Sequence, residues 1–314
     1  MNDSKSNCEG SQILSNFHGK IACVVFLFSV VIVTVFGNIM LVFKVVRRAD
    51  FQRKINVFVI SLAVADCCVA VLVMSPSIIQ DLIGYSLLQG KLFREILFAL
   101  DCIFTTSSIL HFTCMNIDRF VAVSDPLKYY QIMTTKMVSI LISLCWMLSF
   151  AISVTIVFLN AEYVECENKL IVEGMASVIG ALIAFYLPLL LNIVASVKIF
   201  LKVHNRNEFL CNATEDRGSA LHRQQHKLEI KVSGTILILQ GIFSVCSTPF
   251  FVLLLLVNLF GIKAPYTAWF VVAWLGYSNS TINPYLYYFL NKRFRNTDKS
   301  SYTRHTCIQI VNRI

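Results

Sequence analysis

Asp101, Thr105 and Ser108 follow one another at spacings of four and three inside Ile96 to Ile117, a run with no other Asp, Glu, Lys or Arg. At helical pitch the three side chains share a stripe that points an acid and two hydroxyls the same way. The run is long enough to cross a bilayer, and a lone carboxylate there costs roughly 2.5–3.5 kcal/mol even on a lenient insertion scale. Asp101 is therefore expected to meet a cation. A second acid, Asp66, lies in the apolar run Ile55 to Gln80. With Ser108, Asn279, Ser280 and Asn283 it supplies several oxygens round one carboxylate, which suits a small hard cation, a proton or a water network. At the end of the Asp101 run, Asp118-Arg119-Phe120 sets an acid beside a base, and Glu229 stands in the charged stretch Lys227 to Lys231. Arg119 thus has two candidate acid partners for a breakable clasp, in addition to anchoring at a membrane edge. At ~1.5 Å per residue, Ser108 lies about 10 Å and Asp118 about 25 Å below Asp101, so one helix links an outer pocket to an inner face.

The elements that must position these residues are membrane spans. The 314 residues are 56% hydrophobic and only 14% charged, with a mean hydropathy of +0.68, which excludes an ordinary soluble domain. Ile21 to Phe43, Met137 to Ala161, Gly174 to Val197, Val232 to Ile262 and Ala264 to Asn291 carry no charge, and with the Asp66 and Asp101 runs they make seven spans. The fold class is all-α, a seven-helix transmembrane bundle. Of the 27 Lys and Arg, 6 lie in the tail and connectors on the N-terminal side of the membrane and 21 on the other, so the N-terminus is expected outside and the C-terminus inside. That asymmetry accounts for most of the net charge of +9, together with affinity for anionic inner-leaflet lipid, and excludes a nucleic-acid partner. The chain divides into an extracellular tail (1–20), the bundle with a short amphipathic inner-face helix at Asn291 to Asn296 (21–296), and a cytoplasmic tail (297–314). No signal peptide is visible, so the first span serves as its own insertion signal. The polar connector from Val203 to Lys227 is expected to be flexible. Asn2 opens a glycosylation sequon, and Cys8 and Cys166, the cysteines clearly on the oxidising side, are the candidate disulfide. Pro188, Pro249 and Pro284 are expected to bend three spans, which suggests a molecule that changes shape.

Taken together these residues resemble the rhodopsin-like class of G-protein-coupled receptors from about Ile21 to Phe294. The landmarks are Asn38 after Gly37, Asp66 in Leu62-Ala63-Val64-Ala65-Asp66, Asp118-Arg119-Phe120, Trp146, Pro188, Pro249, and Asn283-Pro284-Tyr285-Leu286-Tyr287, one per helix in order. Within the class the chain looks like a biogenic-amine receptor of the trace-amine or serotonin type. The resemblance implies that Asp101 pairs with a ligand ammonium, that Tyr277 hydrogen-bonds that carboxylate, and that Phe250 and Phe251 pack on the ligand ring. It places Thr105, Cys102 and Trp274 in the same pocket. It implies a sodium pocket at Asp66, Ser108, Asn279 and Asn283, beside Ser280 of the same polar layer, with sodium as a candidate allosteric ion and no cofactor required. Ile109, Pro188 and Phe243 match a packing trio that rearranges on activation, Tyr287 closes the seventh-helix motif, Arg119 and Glu229 match an inner lock, and Leu127 matches a loop residue that docks on the G protein. The implied partners are a small cationic amine, a heterotrimeric G protein, arrestin, receptor kinases and the bilayer of the plasma membrane. No enzymatic activity is implied.

Departures narrow the ligand. Arg94 stands where the third helix usually carries a disulfide-bonded cysteine, Ser247 where a tryptophan usually floors the pocket, and Ser196 where a tyrosine usually steadies the active state. Gly180, Ala181 and Ala184 replace the hydroxyls of catecholamine receptors, which argues against dopamine or adrenaline. A receptor of the same fold for a peptide or lipid is the alternative. Tyr277 stands where a light sensor would carry its retinal lysine, and a transporter would show internal repeats or interrupted helices, which the sequence lacks.

Overall fold

In hydrocarbon every backbone N–H and C=O must be satisfied within its own element, so long uncharged runs fold as helices. The computed structural model describes the backbone of residues 17–47, 54–80, 91–164, 169–172, 174–212 and 217–290. Seven long helices follow in order: α1 (Phe17–Val46), α2 (Lys54–Ile78), α3 (Lys91–Ser124), α4 (Thr135–Asn160), α5 (175–212), α6 (Arg217–Phe260) and α7 (Tyr266–Leu290). Six are long and apolar enough to cross a membrane by length and composition. The exception to the expected seven is α7, whose 25 residues include Ser278, Asn279, Ser280, Thr281 and Asn283 in close succession. Its polarity is turned inward, with Asn279, Ser280 and Asn283 buried.

Two further elements lie in the connectors. A short helix, Pro126–Ile132, links α3 to α4 and starts at Asp125, whose side chain accepts from the Lys128 N–H at 3.3 Å. Strand β1 (Ala161–Val164) pairs antiparallel with β2 (Lys169–Val172), Ala161 opposite Val172 and Val164 opposite Lys169. The all-α expectation thus holds for the bundle but not for this loop, where valine, isoleucine and tyrosine favour a hairpin. The connector from Val203 to Lys227 also differs from expectation: α5 runs on to Asn212 and α6 begins at Arg217. Polar composition does not stop a helix, and Lys, Arg, Gln and Glu are good helix formers. The segment 291–296, Asn2, Cys8 and Cys166 lie outside the described residues.

Pro249 and Pro284 sit inside continuous helices. Pro76 and Pro188 each follow a five-residue π-helical stretch by two positions, Ala70–Met74 in α2 and Leu182–Tyr186 in α5. The wider turn makes room for a ring that cannot donate a hydrogen bond. Pro284 leaves the Ser280 carbonyl without its usual partner four residues on. Asn38 on α1 supplies it, its Nδ2 donating to the Ser280 O and to the Thr34 O at 3.0 Å each. The Thr34 and Thr281 hydroxyls meet at 2.6 Å beside it. Gly37 lets α1 come this close: a Cβ there would stand 2.9 Å from the Pro284 ring.

The apolar interior falls into two clusters. One gathers Phe58, Ile109, Phe112, Met115, Ile236, Phe243 and Tyr287; the other gathers Val73, Met74, Ile78 and Phe104 with Trp274 and Tyr277 packed against it.

Candidate functional site

The site is a column through the bundle, with α3 contributing at every level. At one end Asp101 is half-buried and accepts from the Tyr277 hydroxyl at 3.1 Å and from the Thr105 hydroxyl at 3.5 Å. Thr105 is one turn below Asp101 on its own helix, so the second contact is local, whereas Tyr277 reaches across from α7. Trp274, one turn above Tyr277, packs edge-on against its ring at 5.6 Å. Cys102 is a half-buried free thiol beside the acid. On α6, Phe250 and Phe251 meet edge-on at 5.4 Å. Two aromatics that the sequence reading did not single out extend this wall: Phe185 stacks on Phe251 at 3.9 Å, and Trp269 of α7 meets Phe250 at 5.7 Å. The expected ligand residues therefore form two groups, a carboxylate end on α3 and α7 and an aromatic wall on α5, α6 and α7. Phe251 packs on the first apolar cluster and Tyr277 on the second.

Deeper in, Asp66 is 1% exposed and accepts from the Asn283 Nδ2 at 3.0 Å. Asn279 turns toward α6, its Nδ2 donating to the Ser247 hydroxyl at 3.1 Å and to the Gly276 O at 2.9 Å. Its Oδ1 is buried with no partner, and Ser108 is buried on α3. Of the expected polar layer, Asp66 and Asn283 are in direct contact, Ser280 and Ser108 are buried, and Asn279 bonds to the pocket floor instead. A cavity beneath is lined by Asp66, Asn283, Asn38, Leu62, Met115 and Tyr287 among others.

Below this layer Ile109 and Phe243 are buried in one cluster, Phe112 meets Phe243 at 5.2 Å, and Pro188 is buried on α5. The Tyr287 hydroxyl donates to the Asn56 Oδ1 at 3.3 Å. At the opposite end Arg119 donates to its neighbour Asp118 from two nitrogens, at 2.6 and 2.9 Å, with both side chains buried. Tyr129 of the short connecting helix donates to the other Asp118 oxygen at 3.0 Å. The side chains of Glu229 and Leu127 lie outside the described residues; among the partners seen for Arg119 are Asp118 and the Tyr129 hydroxyl, which accepts at 3.5 Å. Tyr129 was legible only as part of Asp125 to Tyr129; nothing in the sequence says that the connector curls back onto Asp118.

The sequence reading also missed a set of amides. Asn116 on α3, Asn192 on α5 and Gln240 on α6 are buried, and the Asn116 amide donates to both of the others. The signal was present, since each is a polar amide within an apolar span, the same kind of anomaly that marks Asp101.

A family model described as the seven-transmembrane receptor, rhodopsin family, matches residues 37–287. The chain belongs to that family. It is accordingly a multi-pass membrane receptor rather than an enzyme. The similar proteins include 5-hydroxytryptamine receptor 4 of Cavia porcellus, 32% identical over 88% of this chain and 78% of its own length. Octopamine receptor beta-2R of Chilo suppressalis is 30% identical over 89% and 78%. Histamine H2 receptor of Homo sapiens is 29% identical over 94% and 82%. The biogenic-amine resemblance and the seven-helix architecture expected from the sequence both agree with these findings.

Proposed function

We propose that the chain is a plasma-membrane receptor that binds a small extracellular amine at Asp101 and passes the event to a heterotrimeric G protein inside the cell. The observation that carries the ligand class is the Asp101 carboxylate, held by two hydroxyls and, among the described residues, by no Lys or Arg. A half-buried acid oriented by hydroxyl donors is ready for an ammonium, which forms a charge-assisted bond and neutralises it. The aromatic wall of Phe250, Phe251 and Phe185 suits an aryl group or the cation itself. The three relatives named above carry the names of small amines as their ligands, and this argues against the peptide or lipid alternative. Gly180 and Ala184 offer no hydroxyl, and at Gly180 a Cβ would stand 2.9 Å from Ile156. A catechol therefore has nothing to bond there, and a plain amine fits better.

The Lys and Arg asymmetry supports an extracellular N-terminus and a cytoplasmic C-terminus. At the inner end, release of Arg119 from Asp118 as α6 moves outward would open the face on which the G protein, and later receptor kinases and arrestin, dock. Asp66, Ser108, Asn279, Ser280 and Asn283 fit a sodium ion: the acid is buried without a basic partner among the described residues, and the Asn279 Oδ1 lacks a donor. The ion would supply positive charge to a carboxylate otherwise held only by neutral donors.

The test is a panel of primary and methylated arylalkylamines, with neutral alcohols of the same skeletons, applied to cells expressing the full chain. G-protein dissociation is the readout. Activation by an amine and not by its alcohol is expected; activation by peptides or lipids alone would replace this reading with the alternative.

A further inference from the structure

Asn116, Asn192 and Gln240 come from three helices and meet in the interior, each at most 5% exposed. The Asn116 Nδ2 donates both its hydrogens, one to the Asn192 Oδ1 at 2.9 Å and one to the Gln240 Oε1. Asn192 in turn donates to the Thr113 hydroxyl at 3.0 Å, and Thr113 donates to the Ile109 carbonyl at 2.9 Å. The network therefore ends on the backbone of a residue that also packs in the Phe243 cluster. Its place along each helix is regular: Asn192 is four residues past Pro188, Asn116 seven past Ile109, and Gln240 three before Phe243. Those spacings stack the amides directly beneath Ile109, Pro188 and Phe243. Asn116 is also three residues, about one turn, above Arg119.

We propose that these three amides form a clasp that holds α6 against α3 and α5 and sets how often the receptor turns on without ligand. The proposal rests on the reading above in one respect, that outward movement of α6 is what the G protein detects. A buried amide has no water to turn to in a membrane interior, so the Gln240 Oε1 can leave the Asn116 Nδ2 only by losing a bond outright. The bond exists with α6 packed inward and is lost when α6 leaves, which is the differential interaction that a two-state equilibrium responds to. The clasp therefore weights the equilibrium toward the resting bundle. Asn116 is the shared donor, so both contacts to its neighbours depend on one side chain.

Gln240→Leu removes the acceptor at similar size, and Asn116→Ser shortens the shared donor. Both are measured on the full chain in lipid nanodiscs without added amine. Hydrogen–deuterium exchange reads the inner half of α6 against α1 and α4, and nucleotide exchange is read on a panel of G-protein heterotrimers. One interhelical bond of this kind corresponds to roughly a threefold to tenfold change in population. Exchange in α6 is expected to quicken by that factor with α1 and α4 unchanged, and basal nucleotide exchange to rise alike, also in an Asp101→Asn background. Unchanged α6 exchange, or quickening shared equally by α1 and α4, would overturn the clasp. So would failure of both variants to fold, because a device that only shifts an equilibrium leaves the resting bundle assembled. Faster α6 exchange without any G-protein response would uphold the clasp and sink the coupling reading instead.

Discussion

Replacing Asp101 by Asn tests the ligand assignment at the level of a single charge. The variant keeps the shape of the side chain and an oxygen that can still accept from Tyr277 at about the observed 3.1 Å. What it loses is the negative charge. Removing one partner of a buried, hydrogen-bonded charge pair costs about 2–5 kcal/mol. Asp101 is half-buried rather than sealed, so the lower part of that range applies, about 2–3 kcal/mol. This corresponds to roughly a 30- to 150-fold rise in the half-maximal concentration of an active amine. The neutral alcohol of the same skeleton should lose almost nothing, because it never drew on the charge. Tyr277→Phe supplies the second leg of a cycle: it removes the donor that orients the carboxylate and should cost about 1 kcal/mol, near fivefold. Since that donor acts through the carboxylate, its effect should shrink in the Asp101→Asn background. The assay is a concentration–response series by G-protein dissociation, normalised to surface expression. An amine whose potency survives Asp101→Asn within threefold, or whose alcohol is equally potent, would refute the ammonium–carboxylate pairing.

Asn38→Leu should leave the Ser280 carbonyl without its donor from α1 and cost about 1–3 kcal/mol, seen as a lower midpoint in thermal unfolding of the detergent-solubilised receptor. Gly37→Val should destabilise by a similar amount, since its new side chain must displace the Pro284 ring, whereas Gly241→Ala, which meets nothing within 4 Å, should be neutral in the same assay. Equal midpoints for Gly37→Val and Gly241→Ala would show that α1 does not pack on α7 as described. Exchanging sodium for potassium at constant ionic strength should shift amine potency about fivefold or more in the native receptor and leave Asp66→Asn unmoved. Persistence of the sodium effect in Asp66→Asn would place the ion elsewhere.

What was legible in the sequence followed from cost. A carboxylate in hydrocarbon is expensive, so Asp66 and Asp101 stand out in a single chain, and their positions imply the helices that must carry them. Spans, their order and the residues on the α3 stripe came from the same physics. The β1–β2 hairpin did not, because outside the bilayer a backbone group can bond to water and composition no longer dictates the element. The continuation of α5 to Asn212 and the start of α6 at Arg217 were missed for the same reason. The Asn38 bond to the Ser280 carbonyl lay between. Pro284 makes the orphaned carbonyl predictable, but which helix supplies the donor depends on how α1 packs. The amides of Asn116, Asn192 and Gln240 were visible one by one, and only the packing of three helices made them a network.

The two serines that depart from the family pattern are both hydrogen-bonded, Ser247 between helices and Ser196 within its own. Ser247 accepts from Asn279 at 3.1 Å and so joins α6 to α7, while the Ser196 hydroxyl donates to the Asn192 carbonyl at 2.7 Å. Where a large ring would act by volume, each serine acts by a hydrogen bond, one at the pocket floor and one beside the clasp. The interhelical bond of Ser247 depends on direction as well as distance and is lost when its partners turn apart, whereas a ring can keep its packing as it slides over a neighbour. A bundle tied by Asn279–Ser247 and Asn116–Gln240 should therefore hold α6 more sharply in one position than a bundle tied by aromatic contact. On the proposed reading, a ligand at the Asp101 level would need a differential affinity that exceeds what those bonds contribute, a few kcal/mol, to release Arg119.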